Sequence, residues 1–296
     1  MSYIGLDVGG TNVRYAFVKN LNSEKVIYQK TSFVKTGDPY IEVEKNICDV
    51  VDKFPGKIKG IGISLAANMV RNTGKVKTWP NNPCWNDYAL LEHLDKRYGS
   101  PVIIEDDANC GAISEYQFLS TNLKNMAYIS IGTGIGCGLI LNGSLFIGEN
   151  GFAGEIGHMC INKEESEQIC KCGNKGCLQS IVSPTNIIRK YNKENHMLIN
   201  SLEEIYKQYL QNNSIAIDCI VEMLDIISIL IYNIALCLDI SVFVIGGGIN
   251  KILAGFITTI EAQVNERLSK FKRKISVVQS HLGEFSGVYG ALQLLK

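Results

Sequence analysis

The sequence predicts an α/β protein of two lobes. Three observations carry this: apolar β-turn-β segments at 3–18 and again at 127–142, strands alternating with helical segments, and 296 residues, enough for two lobes. The expected boundaries are a small N-terminal lobe over 1–117, closed by a C-terminal helix at about 284–296, and a larger C-terminal lobe over 118–283.

YIGLDVGG at 3–10 is an apolar run into Asp7 and two glycines, and VRYAFV at 13–18 answers it, the pattern of a hairpin with a glycine-rich tip. A third strand is expected near 25–34. Over 40–54, Ile41, Val43, Ile47, Val50, Val51 and Phe54 fall at helical spacing, and Pro55-Gly56 stops the helix. IKGIGISLAA at 58–67 and PVIIED at 101–106 read as strands, WNDYALLEHLDKRYG at 85–99 and DANCGAISEYQF at 107–118 as helices. In the second lobe AYISIGTGIGCGLILN at 127–142 repeats the opening pattern. Residues 218–239 form a long apolar helix, VFVIGGGIN a strand ending in a triple-glycine turn, and GVYGALQLL the closing helix.

Lys plus Arg and Asp plus Glu are both 29, so no basic excess exists to neutralise nucleic acid or an anionic membrane. A small-molecule substrate is expected instead. No basic and apolar leader opens the chain, and IISILIYNIALCL at 226–238 is too short to span a bilayer, so a cytoplasmic protein is expected. Of ten cysteines, seven (48, 84, 110, 137, 160, 219 and 237) are scattered through apolar segments and read as small buried hydrophobes.

Three strand ends carry glycine clusters: Gly9, Gly10, Thr11 and Asn12; Gly132, Thr133 and Gly134; and Gly246, Gly247 and Gly248. Glycine lets successive backbone N–H groups converge on phosphate oxygens, and the two threonines add hydroxyl donors. Three such turns favour a nucleoside triphosphate. A Walker loop is absent, and GTGIGCG leads into a strand where a dinucleotide fingerprint must open a helix. The run Glu105, Asp106, Asp107 at a strand-helix junction offers a general base, or no more than a helix cap.

DVGGTNVR, IGTGIGCG, GFAGEIGH, CKCGNKGCLQ and VIGGGIN, in this order and spacing, resemble the ROK family of sugar kinases and related repressors. The resemblance implies a two-lobed actin/hexokinase-like (ribonuclease H-like) fold with ATP and sugar in the interlobe cleft, ATP-dependent phosphorylation of a hexose, glucose by default, and a homodimer. N-acetylmannosamine, allose or fructose as substrate stays open, as does a non-catalytic sugar sensor. Repressor members of the family carry an additional N-terminal DNA-binding domain, for which a first turn at residue 7 leaves no room.

By the same resemblance Asp107 aligns with the family's base, and Asp106 stands where the family usually has Asn against sugar hydroxyls. Glu155 and His158, spaced E-x-x-H, contact the sugar, the histidine with its other nitrogen on zinc. His158, Cys170, Cys172 and Cys177 form H-x11-C-x-C-x4-C, a closed set of three thiolates and one imidazole suited to structural zinc. A disulfide is disfavoured in a reducing compartment, and C-x-C is not the redox spacing. Magnesium is expected with ATP, with Asp7 the carboxylate near it. Gln179 stands where the family usually has a sugar-contacting Glu, and Ala66-Ala67 where Pro-Gly is common, with Asn68 the candidate polar contact of that loop. Asp106 and Gln179 thus exchange carboxylate and amide relative to the pattern.

Overall fold

The computed structural model describes residues 1–22, 26–36, 39–70, 73–78, 87–119, 122–161, 169–196 and 198–296. The chain divides into two compact units, the first made of Met1–Leu119, Leu145–Ala153 and Glu284–Lys296, the second of Ser120–Ser144 and Gly154–Gly283.

In the first unit, β1 (Ser2–Val8) and β2 (Asn12–Val18) form the hairpin, and β3 (Tyr28–Ser32) adds antiparallel to β2. Helix α1 (Pro39–Val51) follows, then β4 (Ile58–Leu65), parallel to β1. A small ribbon of β5 (Asn68–Val70) and β6 (Lys75–Thr78) precedes α2 (Leu90–Tyr98), β7 (Val102–Asp106) and α3 (Asp107–Tyr116). The sheet runs β3-β2-β1-β4-β7. β4 is buried from Gly60 to Leu65, as a central parallel strand covered on both faces must be, and this is why it reads as an unbroken apolar run. On one face Val43, Ile47, Val50 and Val51 of α1 and Leu90 and Leu94 of α2 join Ile4, Leu6, Ile61 and Ile63 in one core. α2 stops at Gly99, which takes the left-handed conformation (φ 57°) and donates its N–H to Asp95 O.

The second unit repeats the plan. β8 (Met126–Ile131) and β9 (Ile135–Leu141) make a hairpin, followed by β10 (Ser144–Phe146), α4 (Leu178–Val182), α5 (Pro184–Asn195), α6 (Leu202–Leu210) and α7 (Ser214–Leu238). β11 (Val242–Gly246), α8 (Asn250–Leu253), α9 (Ile257–Leu268) and β12 (Ser276–Gln279) complete it. The strand order is β10-β9-β8-β11-β12, with β11 parallel to both β8 and β12. In order of appearance both sheets therefore run third, second, first, fourth, fifth.

The long apolar helix begins at Ser214, four residues before the sequence pattern suggested, because Asn213 caps it by accepting from Ala216 N at 2.9 Å. Its buried face, including Ile220, Met223, Ile227 and Ile231, meets α9. Ser228 and Asp225 clamp Gln263 of α9 at 2.6 and 2.7 Å. Among the described residues no helix is long and apolar enough to cross a membrane.

The last helix, α10 (Ser286–Gln293), belongs to the first unit and lies on the other face of β1 and β4. Two glycines permit this close approach. A Cβ at Gly62 would fall on the Ala291 carbonyl, and one at Gly5 would stand 2.6 Å from Leu292 Cγ and 2.7 Å from Val288 O.

Of the seven scattered cysteines, Cys48, Cys110, Cys137 and Cys219 are buried as expected, whereas Cys160 and Cys237 are exposed and Cys84 lies outside the described residues. Cys237 sits in an apolar string, but the helical turn at the end of α7 puts it on the outer face. Most of the polar excursion expected at 161–169 also lies outside the described residues.

Candidate active site

In the first unit the centre of the arrangement is Asp7. Strand alternation buries Leu6 and Val8 and leaves Asp7 on the opposite side, where strand register supplies its neighbours. Arg14 lies across the hairpin and Ser64 across the parallel pair. Ser64 Oγ donates to Asp7 Oδ1 at 2.7 Å, and Arg14 Nη1 donates to Oδ2 at 3.2 Å. Burial lifts the Asp7 carboxyl above its ordinary range, and the Ser64 hydrogen bond and Arg14 charge act against that rise. Arg14 also donates from Nε to Glu284 Oε2 at 3.1 Å, where Lys30 Nζ joins at 3.0 Å. The Lys30 hydrogen bond, with help from Arg14, holds Glu284 below the usual carboxylate range.

The turn after β1 is closed by Gly9 N donating to Asn12 O at 3.0 Å, while Asn12 Nδ2 reaches Thr11 Oγ1 at 3.0 Å. A Cβ at Gly10 would meet nothing within 4 Å. The protein's own packing does not require glycine there, so the tip is bare backbone facing open space, as a phosphate cradle needs.

At the β7–α3 junction the structure separates the two carboxylates. Asp106 is the N-cap, its Oδ1 accepting from Ala108 N at 3.0 Å, whereas Asp107 is the first residue of the helix and partly exposed. The helix N-terminus favours Asp107 as an anion. Beneath them the buried Glu105 accepts from Asp106 N at 2.9 Å and from Asn109 Nδ2 at 3.0 Å, pinning the turn. Asn68 opens β5, its backbone paired with Thr78; its side chain lies outside what is described.

In the second unit two glycine turns leave the same end of neighbouring parallel strands, since Gly246 of β11 pairs with Ser130 of β8. Gly132 N donates to Gly134 O at 2.9 Å and Thr133 is exposed at the tip. Gly247 is left-handed (φ 87°), and a Cβ there would stand 2.6 Å from Ile131 O. Ile249 N also donates to Ile131 O, at 3.1 Å, so the second turn is tied to the base of the first.

His158, Cys170, Cys172 and Cys177 converge: one ligand atom from each lies within 4.8 Å of all the others. Cys170 Sγ is 3.5 Å from His158 Nδ1, and Cys172 Sγ is 3.6 Å from Cys177 Sγ. Tetrahedral zinc with sulfur at about 2.3 Å and nitrogen at about 2.0 Å spaces its ligand atoms by roughly 3.5 to 3.8 Å. The residues fit that ion. The loop is shaped by Gly173 (φ 89°), by Gly176 (φ 76°), and by Cys170 N donating to Asn174 O at 2.9 Å. Burial resists ionisation of Cys170, but hydrogen bonds from Cys172 N–H, the Gln179 amide and the neighbouring thiols outweigh it and hold this thiol at about 7. Burial and the same thiols push Cys177 up to about 12.

His158 Nε2, the nitrogen turned away from the cysteines, stands 3.7 Å from Glu155 Oε2. Glu155 and His158 of GEIGH therefore meet in one place, and the imidazole joins the cluster to that carboxylate. Gln179, the expected sugar contact, has its amide engaged within the second unit: Nε2 donates to Cys170 Sγ at 3.2 Å, and Oε1 accepts from Ile135 N at 3.4 Å.

Sequence reading missed Ser64, Arg14, Glu284 and the Glu105–Asn109 pair. Arg14 was within reach, because a hairpin that pairs Val8 with Val13 places residue 14 opposite residue 7. Ser64 and Glu284 depend on long-range pairing that no local pattern carries.

The family model described as "ROK family" matches residues 3–296. A glucokinase from Halalkalibacterium halodurans is 30% identical over 84% of this chain and 81% of its own. An N-acetylmannosamine kinase from Vibrio cholerae is 30% identical over 95% and 94%. A xylose repressor from Caldicellulosiruptor bescii is 31% identical over 65% of this chain and 50% of its own. Among solved structures, a glucokinase from Streptomyces griseus in complex with glucose and AMPPNP superposes with a TM-score of 0.81, covering 99% of both chains at 23% identity.

Proposed function

Because the chain belongs to the ROK family, we propose that it transfers the γ-phosphoryl group of ATP to a hydroxyl of a hexose or hexose derivative. The observation that carries the reading is the division of labour at 106 and 107: Asp106 caps α3, and the carboxylate of Asp107 sits in its first turn. Asp107 accepts the proton of the attacking hydroxyl as its oxygen bonds to the γ-phosphorus; the bond to the β–γ bridging oxygen breaks, and ADP leaves with that electron pair.

The glycine turn at 9–12 in the first unit, and those at 132–134 and 246–248 in the second, are each assigned to phosphate binding by their backbone N–H groups. Magnesium bound with ATP would supply positive charge to offset that of the phosphates during transfer. Asp7, whose oxygens already accept hydrogen bonds from Ser64 and Arg14, is the carboxylate that would help to hold it. Zinc would be held by His158, Cys170, Cys172 and Cys177, leaving no open position for chemistry. Its part is to fix the imidazole so that Nε2, next to Glu155, presents one tautomer to a sugar hydroxyl. Asp106, Asn68 and Gln179 remain assigned to the sugar side by resemblance alone.

Glucose is the first substrate to test, followed by N-acetylmannosamine, allose and fructose. A homodimer is supported by Ile229 and Leu236, exposed apolar residues two turns apart on α7. Free thiols throughout the described cysteines suit the reducing cytoplasm, where ATP is supplied. A non-catalytic sugar sensor is the second reading, favoured by the repressor relative. A coupled assay of ADP release over that panel tests the first reading: turnover with one hexose, abolished in Asp107→Asn, supports it. Sugar binding without ADP release would favour the sensor.

A further inference from the structure

We propose that Gln179 is a positioning residue that couples the metal-ligand cluster to the Gly-Thr-Gly turn at 132–134. Its two ends face two different parts of the second unit. Nε2 donates to Cys170 Sγ at 3.2 Å, and Oε1 accepts from the backbone N–H of Ile135, the residue that closes the turn, at 3.4 Å. The side chain is also seated from above and below. A Cβ at Gly134 or at Gly157 would stand 3.0 Å from Gln179 Oε1, so these two glycines leave the room that the amide fills. Gly157 adjoins the ligand His158, and Gly134 lies in the turn itself. One amide therefore touches both ends of a short path from metal ligand to phosphate loop.

The chemistry is specific to an amide. The carbonyl end accepts from a backbone N–H and the amino end donates to a sulfur that becomes anionic when a cation is bound. A glutamate of the same size could satisfy only the first contact, and would turn a second carboxylate oxygen toward the thiolate. Gln179 lies at the start of α4, whose preceding residue is the buried ligand Cys177. Its backbone is thereby fixed by the metal loop, and a cation that orders Cys170 also orders the amide and, through it, Ile135. The proposal rests on the kinase reading only in naming the turn as a phosphate cradle.

The test uses the zinc-loaded chain and two variants of similar size, Gln179→Glu and Gln179→Met. Amide hydrogen exchange of a peptide spanning 130–137 reads the turn directly. Zinc transfer to a competing chelator reads the cluster. Loss of one hydrogen bond corresponds to about a tenfold faster exchange at Ile135. Gln179→Met is expected to show it with zinc bound, whereas Gln179→Glu, which keeps an acceptor for Ile135 N–H, is expected to hold wild-type exchange there and to give up zinc about tenfold faster than wild type. Stripping zinc from the wild-type chain is expected to speed exchange over 130–137, and to add no further change in Gln179→Met. The same zinc-dependent change in Gln179→Met as in wild type would overturn the coupling, as would wild-type zinc retention by Gln179→Glu. A titration with Mg-AMPPNP separates the two readings: a wild-type chain that binds none sinks the kinase assignment while the exchange data still decide the coupling.

Discussion

Arg14 Nη1 donates to Asp7 Oδ2 at 3.2 Å and closes one side of a carboxylate whose other oxygen is taken by Ser64. The two contacts offset part of what burial costs this carboxylate, and burial still wins. A carboxyl whose folded pKa is raised stabilises the fold fully below its unfolded pKa near 3.8, and that contribution is lost as pH rises through the folded pKa. As pH rises above that value, ionisation increasingly favours the unfolded chain, where the carboxylate is hydrated. Asp7→Asn is expected to melt above wild type at pH 7 in the absence of nucleotide, with the gap narrowing as pH falls toward 3.8. Turnover is expected to fall by about a hundredfold. Thermal melts of both proteins across pH check the sign; a gap that widens in acid would refute it.

Asp107→Asn is expected to lower kcat by about a hundred- to ten-thousand-fold with little change in sugar affinity. Asp106→Asn keeps a side-chain oxygen for Ala108 N and is expected to hold its melting temperature. If Asp106→Asn were the inactive variant and Asp107→Asn the active one, the base would be residue 106. Steady-state kinetics with isothermal titration of the sugar distinguish them.

One tightly held zinc per chain is expected by elemental analysis. Cys172→Ser breaks the set at its exposed member and is expected to leave well under half the metal after dialysis against chelator, with a melting temperature lower by more than about 5 °C. Full metal content in this variant would remove Cys172 from the ligand set.

Gly62→Ala tests the seat of α10. The added methyl would fall on the Ala291 carbonyl, a backbone atom that cannot swing aside, so the helix must shift. The expected cost is about 1 to 3 kcal/mol or more, measured by chemical denaturation. A neutral result would mean that α10 does not lie where described.

What the sequence revealed followed from local periodicity. Both hairpins, α1, α3, α7 and α10 carry their apolar spacing within a few residues, and the glycine turns sit where those strands end. Helices α5, α6 and α9 were not anticipated, because half of each is polar and their apolar stripes only gain meaning against α7. At the site, the Cys and His spacing in the chain and the cluster in space agree residue for residue. Gln179 is less legible. Its position in a motif suggested a sugar contact, but the direction of an amide is set by what surrounds it. Here a thiol and a backbone N–H, brought in from residues 170 and 135, hold both ends. Such neighbours are invisible until the loop has folded.

The seat of α10 on Gly5 and Gly62 also sets an order of events during synthesis. The first unit includes residues 284–296, so its sheet is not covered until residues that follow the whole second unit have been made. While residues 286–293 are still inside the ribosome, β1 and β4 have emerged with one face uncovered. The usual N-terminal-first sequence of domain folding is inverted. Until those residues emerge, the seat of Val288 and Leu292 is open to chaperones, and a chain cut before Ser286 keeps every catalytic candidate yet leaves uncovered the sheet that presents Asp7.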